Sequence, residues 1–178
     1  MKLEFFLQEL GSIKGAPGGG AAAALTGATG AALAEMVARL NDKRAGASSG
    51  TAAKAAALRK KLHRLIAEDA KAFEQIQKAY ALRKKKPAVW QRTLKNGAKP
   101  PLEICGACVV AAQLAAKEKP RTSRWLESDR REALLLLRAA FDAAKLNVDI
   151  NLKEISGRAI RNQIQGKVKR WRHQLQKY

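Results

Sequence analysis

The chain is poor in the groups that most enzymes use for chemistry. Its 178 residues include two histidines, two cysteines, three tryptophans, two tyrosines and four phenylalanines. With only His63 and His173 present, a histidine-based triad or a multi-histidine metal site is excluded, and no metal or cofactor is expected. Cys105 and Cys108 make one CxxC, in PLEICGACVVAAQLAA. Without a second pair or a neighbouring histidine it is a poor zinc site, and its apolar surroundings mark two small core residues on a helix. Reduced thiols suit a cytoplasmic protein, which is the expected location. Alternating runs of β-branched and aromatic residues are almost missing too, which removes the signal for a sheet. What remains is an all-α antiparallel helical bundle, one domain over 1–178.

Acidic residues are also scarce. Fifteen Asp and Glu face thirty-five Lys and Arg, for a net charge of +20 and a pI near 10.5. The excess thickens at Lys54–Arg64, Arg83–Lys86 and Arg158–Lys177. Such a balance attracts polyanions, so nucleic acid and multiply charged small anions stay in play beside a simple solubility role. No secretory leader is expected, because Glu4 and Glu9 interrupt the place where its apolar run would lie.

Against this basic background the stretch GAPGGGAAAALTGATGAALA, residues 15–34, carries no charge at all. Gly18, Gly19 and Gly20 resist regular structure, whereas the alanines that follow favour helix, so a loop feeds a helix N-terminus near Gly20. Unpaired backbone N–H groups there offer a seat for an anionic or electron-rich ligand. A membrane span is not expected, since Leu25 and Leu33 are the only bulky apolar residues in the run.

The spacing predicts a short helix over Leu3–Leu10 with Phe5, Phe6 and Leu10 inward, and a long helix from the glycine triplet to about Leu40. A loop follows over Asn41–Thr51, with Thr51 or a neighbour capping a second long helix to about Leu82. A short helix near Trp90 and another from Pro101 to before Pro120 come next. Ser128 and Asp129 read as an N-cap of a helix through Ala144, and a basic helix lies within residues 156–178.

Two polar features interrupt the apolar faces. In the helix after Thr51 the stripe runs through Leu58, Leu62, Leu65, Ile66, Phe73, Ile76 and Tyr80, and Asp69 falls in its gap, pointing into the bundle. A carboxylate so placed must be paired, hydrogen-bonded or protonated, which is how a general acid or base is made. Further on, Asn147 and Asn151 share one face and can either read a ligand or join two helices.

These pieces, in this order, resemble the cyclodeaminase/cyclohydrolase family that acts on one-carbon units of tetrahydrofolate. The segments that carry the resemblance are PGGGAAAALTGATGAALAEMVARL at 17–40, LIAEDAKAFEQIQKAY at 65–80, PLEIC at 101–105 and SDRREALLLLRAAFDAAKLNVDINLKEI at 128–155. The resemblance implies a homodimeric helical bundle with a tetrahydrofolate derivative as substrate. It implies either ring closure of 5-formiminotetrahydrofolate with loss of ammonia or hydrolysis of 5,10-methenyltetrahydrofolate. Asp69 then takes the acidic catalytic position, Gly18, Gly19 and Gly20 the folate-site loop, and Asn147 and Asn151 the paired amides. By the same resemblance, Lys43 or Arg44 in NDKRAGASSG answers to the family's Gly-Lys-rich segment, with Lys43 taken as a catalytic residue.

The chain departs from that pattern in its basic character, with Arg130 and Arg131 where small residues are customary and LRKKKP in a shortened middle segment. A second reading is therefore an inactive relative turned to RNA or ribonucleoprotein binding. Its contact residues would be Arg158, Arg161, Lys169, Arg170 and Arg172, with Trp171 among them to stack on a base.

Overall fold

Helix α2, Gly19–Ala45, is the axis on which the other helices are laid. Its small residues are the reason. Ala21, Ala24, Ala31, Ala34 and Ala38 are all buried, and α2 packs against three helices at once: α3 (Thr51–Tyr80), α5 (Lys99–Lys117) and α6 (Glu127–Glu154). A Cβ added at Gly30 would stand 2.8 Å from Leu137 Cγ and 3.1 Å from the Ala133 carbonyl oxygen, so α6 lies directly on the α2 backbone. The remaining elements are α1 (Leu3–Leu10), α4 (Pro87–Gly97), a 3₁₀ turn at Lys119–Arg121 and α7 (Arg158–Leu175). The computed structural model describes residues 2–178, and among these there is no strand, as the composition requires.

Larger side chains fill the space between the outer helices. Leu62, Leu65, Ile104, Leu137 and Phe141 are fully buried, and α2 shares one continuous core with α3, α5 and α6. Cys105 and Cys108 belong to that core, where burial pushes both thiols up, Cys105 to about 12. The α2–α3 connection is short because Gly46 and Gly50 both take left-handed conformations, φ 64° and 71°.

Several helix ends differ from expectation. Helix α2 runs to Ala45 rather than Leu40, because Asn41 is needed inside: its Nδ2 donates to Glu118 Oε2 (2.8 Å) and Thr122 Oγ1 (3.2 Å). The N-cap of α3 is Gly50, the neighbour of Thr51, without a side-chain hydrogen bond, and Thr51 is the buried first residue of the helix. Ser128 and Asp129 are already in the first turn of α6, which follows Leu126 without a side-chain cap. Phe5 points outward, 56% exposed, and Phe6 alone of α1 is buried. An amphipathic octapeptide can rotate by one residue at little cost, and here the larger contact went to Phe6.

Helix α2 is also the one described helix long and apolar enough to cross a membrane, but 61% of its apolar window is enclosed by its neighbours. Most of its alanines and glycines are buried against α3, α5 and α6.

Gly30→Ala tests how tight this packing is. Helix propensity alone would stabilise the variant by about 0.5–1 kcal/mol, whereas forcing a methyl against backbone costs about 1–3 kcal/mol. The expected result is a lowered melting temperature by a few degrees; a raised one by calorimetry refutes the close approach.

Candidate functional site

The glycine triplet does not simply precede a helix. Gly18 is the N-cap of α2, in extended conformation, while Gly19 and Gly20 form its first turn. In any first turn the backbone N–H groups lack intrahelical acceptors. Helix α3 runs past this end and sets Asp69 upon it. A Cβ at Gly20 would lie 2.3 Å from both carboxylate oxygens of Asp69. The side chain therefore occupies the volume that any residue but glycine would need. The Ala21 backbone N–H donates to this carboxylate.

Asp69 has no salt-bridge partner among the described residues. Burial pushes its carboxyl up to about 6, and the Ala21 hydrogen bond only partly offsets this. At pH 7 about one carboxyl in ten is then protonated, a balance suited to giving and taking protons. Glu68 and Glu74, by contrast, are exposed, and Glu68 pairs with Arg64 at 2.8 Å.

Helix α6 supplies the opposite wall. Asn147 Nδ2 donates to the Ala143 carbonyl (3.1 Å) and lies 3.7 Å from where a Gly19 Cβ would be. Asn151 Nδ2 donates to the Gly97 carbonyl at the end of α4 (3.3 Å). With both nitrogens engaged, the two amide oxygens are left to accept from a ligand.

Together these groups line a cleft of about 280 Å³. Gly15, Gly18, Gly19, Gly20, Asp69, Asn147 and Asn151 meet there with Phe73, Ile76, Gly97 and Ile150. Periodicity had placed Phe73 and Ile76 in the core stripe of α3. Phe73 is instead 40% exposed and forms an apolar wall of the cleft. Gly97 ends the short helix expected near Trp90, in a basic stretch not linked to the site, and a Cβ there would strike Ile76 Cδ1 at 2.4 Å. Its signal was a glycine at the mouth of a helix turn, too common to single out.

Lys43 is not brought to this cleft. It is exposed in the last turn of the same helix whose first turn holds Gly20, which at 1.5 Å per residue is about 35 Å away. Its surroundings are a structural knot: Arg121 pairs with Asp42 at 2.8 Å, and the Ser49 N–H and Arg121 hold the Asp42 carboxyl below its usual range. A helix of 27 residues separates what sequence proximity joined.

The basic residues of the tail lie elsewhere too. Lys169 and Arg172 are exposed beside a groove between α6 and α7, and Arg161, half-buried, donates to the Ile155 carbonyl. Arg158 and Arg170 are exposed. Trp171 is no free stacking platform, because its ring edge would meet a Cβ at Gly106 at 3.1 Å and Lys167 Nζ sits 4.7 Å from the ring centre. No Lys or Arg lines the Asp69 cleft, and among the described residues no group of three His, Cys, Asp or Glu could hold a metal ion.

Comparison with known proteins shows the family and the fold. The formiminotransferase-cyclodeaminase family model matches residues 2–170. A methenyltetrahydrofolate cyclohydrolase of Methylorubrum extorquens is 34% identical over 88% of this chain and 82% of its own length. A formimidoyltransferase-cyclodeaminase of Sus scrofa is 33% identical over 93% of this chain, which spans only 33% of that longer protein. The crystal structure of formiminotetrahydrofolate cyclodeaminase from Thermotoga maritima superposes with a TM-score of 0.90 at 31% identity, covering 99% of this chain and 90% of that one.

The raised Asp69 carboxyl has a consequence for stability. A folded-state value near 6 against 3.8 for the free group means the native protein holds this proton more tightly. The contribution is full below about pH 4 and is lost as pH rises through about 6. Asp69→Asn should therefore melt higher than the parent at pH 7.5, with the difference closing by pH 4. Equal melting temperatures at both would show that the carboxyl is unperturbed.

Proposed function

The chain belongs to the formiminotransferase-cyclodeaminase family, and on that premise we propose that it hydrolyses the methenyl bridge of a tetrahydrofolate, with Asp69 as the proton-transfer group. The observation that carries this reading is a lone carboxylate without a counter-ion, seated on a helix N-terminus that only glycine permits. The methenyl bridge is an amidinium cation, so the substrate itself brings the charge that Asp69 lacks. Cleft size supports the same reading: about 280 Å³ is at the small end of ligand sites, with room for a fused two-ring head and its bridge while the glutamate tail stays outside. Phe73, Ile76 and Ile150 offer apolar surface to the ring faces, and the amide oxygens of Asn147 and Asn151 accept from ring N–H groups.

In this mechanism Asp69 takes a proton from a water as its oxygen attacks the bridge carbon. The resulting carbinolamine collapses as the bond to N5 breaks. One proton from the water ends on N5, returned by Asp69, and the other leaves to solvent, giving the 10-formyl product. In this reading the Gly19 and Gly20 N–H groups of the first turn hold the oxygen as charge develops on it. Ammonia loss from the formimino form is the second reading, favoured by the named structural relative. It would use the same carboxyl as an acid toward the departing nitrogen.

Absorbance decay of methenyltetrahydrofolate tests this directly. Asp69→Asn should lose about 10²–10⁴-fold in kcat, and parent kcat/KM should rise with pH through about 6, since the carboxylate is the active form. Gly20→Ala should fold, since the atoms nearest the added methyl are the carboxyl group of Asp69, a side chain that can swing aside, yet lose turnover comparably. Full activity in either variant refutes the assignment.

For the partner subunit we propose a second copy, docked on the apolar ridge of α6 formed by the exposed Leu135, Leu146 and Ile150. In a chain of charge +20 such a ridge is where like charges interfere least. Sedimentation at moderate salt should give twice the 19.4 kDa chain mass, and Leu146→Arg should return it to monomer. A parent protein that sediments as monomer overturns this.

A further inference from the structure

Part of the excess positive charge is spread over α3 and the segment after it, but one set of cations is gathered along a groove, and its arrangement is independent of the folate reading. Helix α7 touches α6 only lightly and leaves an open groove along it. Six cations line that groove: Arg138, Lys145 and Lys153 from α6, and Arg161, Lys169 and Arg172 from α7. At Arg138 it continues into a second depression that adds Lys119 and Arg131. From Lys153 to Arg131 the track follows α6 for about 33 Å at 1.5 Å per residue. Opposing charge is modest. Within the groove Lys145 pairs with Asp149 (2.5 Å) and Arg172 stands 3.9 Å from Asp142, which leaves four cations in excess, and in the second depression Glu127 is held by Arg130 (2.7 Å).

We infer that this groove binds single-stranded nucleic acid through its phosphodiester backbone, without reading sequence. Three features choose this occupant. The floor of the groove is already sealed, since Val148, Leu152, Val168 and Leu175 are each no more than 3% exposed. An acidic amphipathic helix would find little apolar surface to bury, so what the groove offers is charge. On α7, Arg161, Lys169 and Arg172 rise along one side at intervals of two turns and one turn, a linear array for a linear polyanion. A second copy is disfavoured because it would bring the same cations. Trp171 is laid against α5 beside Gly106 and no aromatic lines the α6–α7 groove itself, Tyr178 lying in the second depression, so contact in the groove rests on phosphates.

The groove and the Asp69 cleft use opposite sides of α6. At about 100° per residue, Asn147 and Asn151 face away from the sector that holds Lys145, Asp149 and Leu152. Nucleic acid in the groove thus leaves the cleft open, and binding can be measured with no reference to turnover.

The test is fluorescence anisotropy with a labelled 12-nucleotide oligo-uridylate across a salt series. The triple variant Lys153→Gln/Lys169→Gln/Arg172→Gln should weaken binding at least tenfold at 50 mM salt. It should also reduce the slope of log affinity against log salt by about 2, as expected for three lost phosphate contacts on a single strand. A matched control, Lys54→Gln/Lys60→Gln/Lys71→Gln, removes equal charge from exposed positions on α3 and should stay within twofold of the parent. In the parent, oligo-uridylate should protect Lys153 and Lys169 from acetylation. Equal losses in the two triples would show diffuse attraction and overturn the site, as would no binding at 50 mM salt. Tighter binding of an acidic amphipathic peptide than of the oligonucleotide would also overturn it.

Discussion

Three helices lie against α2 at distances that only glycine and alanine permit, and the position of every other group follows from that closeness. Gly27 and Gly30 let α6 touch the α2 backbone, and a Cβ at Gly27 would also meet Cys108 Sγ at 3.0 Å and Leu62 Cδ2 at 3.2 Å. Close contact fixes the register between helices more rigidly than interdigitated large side chains do, since a small slip puts a methyl into backbone. Register is what the cleft needs. Asp69, Asn147 and the glycine turn come from three separate helices, α3, α6 and α2, and they converge only if those helices are locked lengthwise.

Much of this was legible in the residues. The uncharged run in so basic a chain marks the central helix, and the gap in the α3 stripe marks Asp69. The paired amides followed from their spacing of four. What escaped reading was of two physical kinds. Helix ends are decided by tertiary partners: Asn41 extends α2 because Glu118, 77 residues later, needs a donor. Roles were also misjudged where periodicity says that a residue faces inward but not what it meets there. Phe73 faces a cleft rather than a core, Trp171 covers Gly106 rather than solvent, and Lys43 shares a helix with the glycine turn yet sits at its far end.

Separation of charge follows from the same geometry. A helix has two sides, and α6 gives one to a cleft without cations and the other to a groove crowded with them. Were those cations beside Asp69, they would pull its carboxyl down and remove the balance between its two protonation states. Keeping them across the width of a helix leaves burial as the dominant influence on that group.

Cys105 and Cys108 carry one more consequence. Both thiols are enclosed at the centre, Cys105 donating to the Phe141 carbonyl at 3.7 Å, and neither is a nucleophile while the helices stay closed. Whatever reacts with them must wait for α5 to part from α2 and α6. Nature has thereby left two internal clocks in the chain: the rate at which a thiol reagent consumes them counts how often the bundle breathes at its axis.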